Sequence, residues 1–122
     1  MKKVLIVDDQ KDIRDLVEAI LLRGHHMVFK AESGEKALEI AKAEKPHLIL
    51  MDIIMPGPID GLEATRILKN ALETKHCIII MLTAKGQTSD EERFVEAGAD
   101  GYFAKPFSPF ELLRQVDQIL GT

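Results

Sequence analysis

Residues 48–52 read Leu48-Ile49-Leu50-Met51-Asp52, four apolar side chains in a row closed by a carboxylate. Successive side chains of a strand point to opposite faces, so an unbroken apolar run marks a strand covered on both sides. Working outward, Val4–Val7 and Cys77–Leu82 have the same character. Met27–Ala31 and Gly101–Ala104 are two further short runs. Their length and β-branched content favour strands. Met27–Ala31 alternates more than the others and suits a sheet edge.

Between these runs the spacing of apolar residues is helical. Ile13, Leu16, Val17, Ile20 and Leu21 share one face, with Asp12, Arg14, Asp15 and Glu18 on the other side. A second helix is predicted after Ser33, a good N-cap, with Ala37, Leu38 and Ala41 inward. A third follows Asp60, with Glu63 three residues on and Ala64, Ile67, Leu68 and Ala71 repeating. A fourth is expected from about Ser89 to Ala97, stopping at Gly98 as a left-handed terminator. The fifth opens with Ser108-Pro109-Phe110-Glu111, a capping box with proline at the first helical position. Strand and helix thus alternate five times. That order specifies an α/β fold with a parallel sheet and helices on both faces. No repeat, linker or low-complexity stretch interrupts it. The expectation is one domain over residues 1–122, with no second domain in this sequence.

Composition agrees. A chain of 122 residues with 46 % hydrophobic and 30 % charged residues reads as a soluble globular domain. A net charge of −4 argues against a basic nucleic-acid footprint. Every apolar run is far short of the roughly 20 residues a membrane helix requires. The start, MKKVLIVDDQ, meets two aspartates after four apolar residues and reads as a strand, not a signal peptide. Cys77 has no partner for a disulfide, and a reducing cytoplasm is the natural setting. With no cation-rich or metal-like company, Cys77 reads as a small buried strand residue.

In an open parallel sheet, ligands bind beyond the carboxyl ends of the strands. Asp8 and Asp9 follow the first strand, Asp52 ends the third, Thr83 follows the fourth and Lys105 ends the fifth. Four of the five strand ends therefore bring polar groups to one rim. Three carboxylates crowded there repel one another, and either raised pKa values or a cation must compensate. A hard divalent ion with oxygen ligands is the simplest solution. Mg²⁺ fits better than Ca²⁺, because a few carboxylates plus water suffice for it. Taken singly, Asp9 could instead cap the first helix, Thr83 a turn, and Lys105 could be solvated. Together they are hard to explain without a site.

The motifs VLIVDD at 4–9, MDIIMP at 51–56, MLTA at 81–84 and GADGYFAKPF at 98–107 resemble, in order and spacing, those of bacterial response-regulator receiver domains. The resemblance covers nearly the whole chain. It implies a flavodoxin-like (βα)5 fold of strand order 2-1-3-4-5. It implies that Asp52 accepts a phosphoryl group from a sensor histidine kinase or phosphotransfer protein. Asp9 and Asp52 would ligate Mg²⁺ directly, Asp8 mostly through water, and Ile54 through its backbone carbonyl. Thr83 and Lys105 match the phosphoryl-contacting positions and Tyr102 the aromatic switch position, while Lys105-Pro106 matches a peptide that is usually cis. A nucleophilic Asp52 should be an ionised, exposed carboxylate. Such a domain would be a phosphoacceptor switch and not an enzyme beyond its own phosphorylation and dephosphorylation. It would be cytoplasmic, without direct nucleic-acid or membrane contact, and a monomer or a weak phosphorylation-dependent dimer. Its downstream target is not named by the sequence.

One departure is visible. The turn after Asp52 runs Met55-Pro56-Gly57-Pro58-Ile59-Asp60-Gly61, one residue longer than the family's usual pattern. That leaves the loop beyond Pro56 undefined. Other readings fit less well. A flavin carrier of this fold needs a phosphate cradle where Asp8 and Asp9 stand. An aspartate-nucleophile phosphatase carries D-x-D after its first strand. An interaction module that never takes phosphate would not need the complete set of five residues. His25, His26, His47 and His76 fall mostly on the opposite rim and receive no catalytic role.

Overall fold

The computed structural model describes residues 1–84 and 91–122. Its elements are β1 (Lys3–Val7), α1 (Lys11–Leu22), β2 (Met27–Ala31), α2 (Gly34–Glu44), β3 (Leu48–Asp52), α3 (Gly61–Lys69), β4 (Ile78–Ala84), α4 (Glu91–Ala97), β5 (Gly101–Lys105) and α5 (Pro109–Leu120). All strand pairs are parallel and the order is β2-β1-β3-β4-β5. This is the flavodoxin-like (βα)5 arrangement, with β2 at an edge as its alternation suggests.

The period of two along the central strands divides the core. Leu5, Val7, Ile49, Met51, Ile79 and Met81 face one layer, where Ala37, Ala41, Ala64, Leu68 and Phe94 of α2, α3 and α4 meet them. Val4, Ile6, Leu48, Leu50, Ile80 and Leu82 face the other, against Val17, Ile20 and Leu21 of α1 and Leu112 and Val116 of α5. Each large side chain buried this way contributes roughly 1.5–3 kcal/mol relative to exposure. Alanines on α2 and α3 let those helices approach the sheet closely.

Helix ends follow local chemistry. Ser33, Asp60 and Ser108 side chains accept from the backbone N–H groups of Lys36, Glu63 and Glu111. The box expected at α5 is only half made, because the Glu111 carboxylate pairs with Arg114 at 2.9 Å. At the end of α4, Gly98 has φ +94°, Gly98 N–H donates to Val95 and Ala99 N–H to Phe94. That is the paired hydrogen bonding of a left-handed helix terminator. The expected start of this helix at Ser89, and Asp90 beside it, lie outside the described residues. Among the described residues, no helix is long and apolar enough to cross a membrane.

The long loop after β3 has a defined shape. Met55 is buried, and Ile59 packs on the α2–α3 side of the core. Pro56, Gly57 and Pro58 are exposed, and Gly57 takes φ +100°. The extra length is thus accommodated outward, while both flanking apolar residues stay anchored. Gly61 N–H then donates to the Ile53 carbonyl at 2.9 Å, returning the chain under β3. A Cβ at Gly61 would overlap the Asp52 carbonyl oxygen. Gly61→Ala should therefore cost about 1–3 kcal/mol of stability, as overpacking against backbone does. Urea unfolding checks this: the midpoint should fall while the slope stays constant.

Candidate functional site

The parallel sheet aims the ends of β1, β3, β4 and β5 at one rim. At the end of β1 the Asp8 N–H still bonds to the Ala31 carbonyl, holding the chain in line. The Asp8 side chain is buried. One of its oxygens accepts from Gln10 N–H at 2.9 Å and the other from Lys105 Nζ at 3.0 Å. Lys105 Nζ also reaches Asp52 Oδ1, at 3.2 Å. Asp9 is exposed beside them. The first helix takes Gln10 as N-cap, with no side-chain capping bond, so Asp9 does not cap it. Carboxylate oxygens of Asp8, Asp9 and Asp52 lie within 4.8 Å of one another.

The sequence-based expectation of an exposed Asp52 needs correction. Its side chain is only 14 % exposed. Burial pushes the Asp52 carboxyl up to about 6; the Lys105 charge opposes this, and the Asp8 and Asp9 charges add to it. Burial alone would lower the Lys105 ammonium, but Asp52 and Asp8 outweigh it and hold Lys105 above its ordinary value. Compensation of the crowded carboxylates thus takes two forms, a raised pKa and an internal cation. The donor set, hard oxygens clustered at an accessible rim, fits a small divalent ion. Ile54, two residues beyond Asp52, has a largely exposed side chain.

Thr83 is buried on β4, in register with Ala104, and Met81 is in register with Tyr102. In-register neighbours share a face, so Thr83 and Tyr102 lie on the same side of the sheet, one diagonal step apart. Tyr102 is 41 % exposed. Its hydroxyl donates to Glu91 Oε1 at 2.5 Å, and its ring lies 5.9 Å from that of Phe94. The Lys105–Pro106 peptide is cis. Lys85, next beyond β4, lies outside the described residues.

One contact at this rim was not evident from periodicity. Arg14, expected on the solvent side of α1, donates from Nη1 to the Asp8 carbonyl at 2.8 Å. Its place six residues after Asp8, at the start of α1, was the available signal. The histidines lie at the other end of the sheet. His26 is buried against Asp117 at 2.9 Å, and His47 accepts from Lys3 N–H at 3.0 Å. Cys77 is buried, and burial pushes its thiol up, as suits an inert core residue.

Comparison with known proteins agrees with this geometry. The family described as response regulator receiver domain matches residues 4–117. Protein PilH of Pseudomonas aeruginosa is 38 % identical over 120 residues, covering 98 % of each chain. The alkaline phosphatase synthesis transcriptional regulatory protein PhoP of Bacillus subtilis is 41 % identical over 119 residues, 98 % of this chain but 48 % of that protein. The chain spans about half the length of several curated relatives that it matches. The crystal structure of chemotaxis protein CheY4 of Vibrio cholerae superposes with a TM-score of 0.90 at 31 % identity, covering 98 % of both chains. Strand order, rim chemistry and kinship therefore converge, and this chain belongs to the response-regulator receiver domains of two-component phosphorelay signalling.

Proposed function

We propose that Asp52 is the phosphoacceptor of this chain. The supporting observation is the Lys105 ammonium, lying 3.0 Å from Asp8 and 3.2 Å from Asp52 beside a three-carboxylate cluster. Asp8, Asp9 and Asp52 side chains, with the Ile54 carbonyl, would hold Mg²⁺. Bound there, the ion would neutralise the carboxylates and take up charge on the incoming phosphoryl oxygens. An Asp52 oxygen bonds to phosphorus as the bond to the donor's leaving group breaks, and that group departs with the electron pair. Lys105 and the Thr83 hydroxyl bind phosphoryl oxygens of the product, so catalysis is mainly positioning and charge stabilisation. The chain then acts as a switch with only self-phosphorylation and self-dephosphorylation chemistry. A sensor histidine kinase or phosphotransfer protein would be the donor, in the cytoplasm. The downstream partner would be a protein, with no direct nucleic-acid or membrane contact. The chain itself would be a monomer or a weak phosphorylation-dependent dimer.

The output is a population shift of the surface formed by α4, β5 and α5. A phosphoryl oxygen draws the Thr83 hydroxyl inward, and the vacated space admits the Tyr102 ring. A nearly complete swing requires about 5.5 kcal/mol of differential binding. Two or three charge-assisted hydrogen bonds of about 1.5–3 kcal/mol each suffice. Amide chemical shifts with and without beryllofluoride test this. Residues of β5 and the start of α5 should move; changes confined to Asp9, Asp52 and their neighbours would refute the switch. Phosphoryl lifetime is a separate prediction. Ile54 and Lys85 stand in sequence two beyond Asp52 and Thr83, positions that in the family's pattern flank the path of the attacking water. Self-hydrolysis at neutral pH in Mg²⁺ should be slow, with a half-life on the order of minutes or longer, because hindering the approach of water protects a reactive intermediate. Loss of label within a few seconds contradicts it.

A further inference from the structure

The acidic first turn of α4 looks, in sequence, like a solvated helix start favoured by the helix dipole. The structure gives one of its residues a specific partner. Glu91 accepts a hydrogen bond from the Tyr102 hydroxyl, while Phe94, one turn later, lays its buried ring against the same tyrosine. Residues three apart share a helix face, so α4 grips both ends of the ring, the polar tip through Glu91 and the apolar body through Phe94. Tyr102 is thereby held outward, with Thr83 buried on the same side of the sheet.

We propose that Glu91 is a positioning residue that clasps Tyr102 outward and sets the resting bias of the switch. This rests on the reading of Tyr102 as the switch residue and adds what opposes its movement. An inward turn of the ring must break the Glu91 bond, so a ligand that favours the inward form works against it. The hydrogen bond also pushes the phenol above its ordinary pKa, as expected when a carboxylate prefers the protonated hydroxyl. Because the bond is at the surface, its expected weight is modest, about a fivefold change in the ratio of inward to outward forms.

The chain contains one tyrosine and no tryptophan, so tyrosine emission reports Tyr102 alone. The experiment measures acrylamide quenching of that emission during beryllofluoride titration in Mg²⁺, for wild type and Glu91→Gln. Tyr102→Phe and the double variant are titrated by amide chemical shifts of Asp52 and its neighbours. Wild-type quenching should fall on binding as the ring turns in. Glu91→Gln should show less quenching before ligand and bind about fivefold more tightly. In the Tyr102→Phe background, Glu91→Gln should change affinity little, because the hydroxyl it acts through is gone. A wild-type ring that does not respond overturns the switch and the clasp together. A responsive wild type with an unchanged Glu91→Gln overturns the clasp alone. An equal Glu91→Gln effect in both backgrounds also overturns it, since a loss of negative charge near an anion site then explains the gain.

Discussion

Replacement of Asp52 by alanine is expected to abolish acid-labile phosphoryl incorporation from acetyl phosphate. Asp52 ends β3 and faces Asp8 and Lys105 at the rim, with its carboxylate oxygen 3.2 Å from Lys105 Nζ. Among the described residues, no other carboxylate combines this position with this partner. Asp8 is buried, and both its oxygens are engaged, by Gln10 and Lys105. Asp9 is exposed and follows the end of β1. Transfer to either would need a different alignment with the same lysine. Since effective alignment contributes a large part of such rates, about 7–11 kcal/mol in favourable cases, a displaced nucleophile loses most of the reaction. The check is label retained after gel separation at neutral pH and lost on acid treatment. Full incorporation into Asp52→Ala defeats the assignment. Wild type in EDTA should also fail to incorporate, because without a metal ion the charge of the carboxylate cluster repels an anionic donor.

Much of this architecture is legible in the chain. The unbroken run at Leu48–Met51, flanked by equivalents at Val4–Val7 and Cys77–Leu82, leaves little choice but a doubly covered parallel sheet. Once that is granted, the strand-end rule brings Asp8, Asp52, Thr83 and Lys105 to one rim from four separated places. What periodicity does not carry is contact between side chains of different elements. Arg14 sits on the polar side of its helix in any helical projection, yet its length lets it return to the Asp8 carbonyl. Glu91 resembles its acidic neighbours until the Tyr102 hydroxyl is found beside it. The loop after Asp52 becomes definite only because Met55 and Ile59 find core positions on either side of three exposed residues. The burial of Asp52 belongs to the same class. It depends on how closely neighbouring strand ends and loops crowd around the carboxyl, which no single segment encodes.

That burial leads to a prediction about stability: in EDTA at neutral pH, Asp52→Asn should be more stable than wild type. The folded protein holds the Asp52 carboxyl near 6, against an ordinary value of 3.8. Folding therefore favours the protonated form of this group. Its contribution is most favourable in acid and is lost as pH rises from about 4 through 6, because the folded state binds the proton more tightly. Two pKa units correspond to about 3 kcal/mol. The gain from asparagine is smaller, about 1–3 kcal/mol, because Lys105 loses one of its two carboxylate partners. For a domain of this size that is a rise of roughly 3–10 °C in Tm. Other groups titrate in the same range. Asp15, held low by its hydrogen bond to Lys11, changes stability in the opposite direction. The informative quantity is thus the difference between variant and wild type, which should shrink towards zero below pH 4. Added Mg²⁺ should stabilise wild type by mass action, by about 2.7 kcal/mol at a hundred times its dissociation constant. It should stabilise Asp52→Asn much less. Urea titrations across pH, with and without Mg²⁺, measure all of these quantities. A stability difference that is flat with pH would mean that Asp52 is ionised at no cost, and that Lys105 alone balances the cluster.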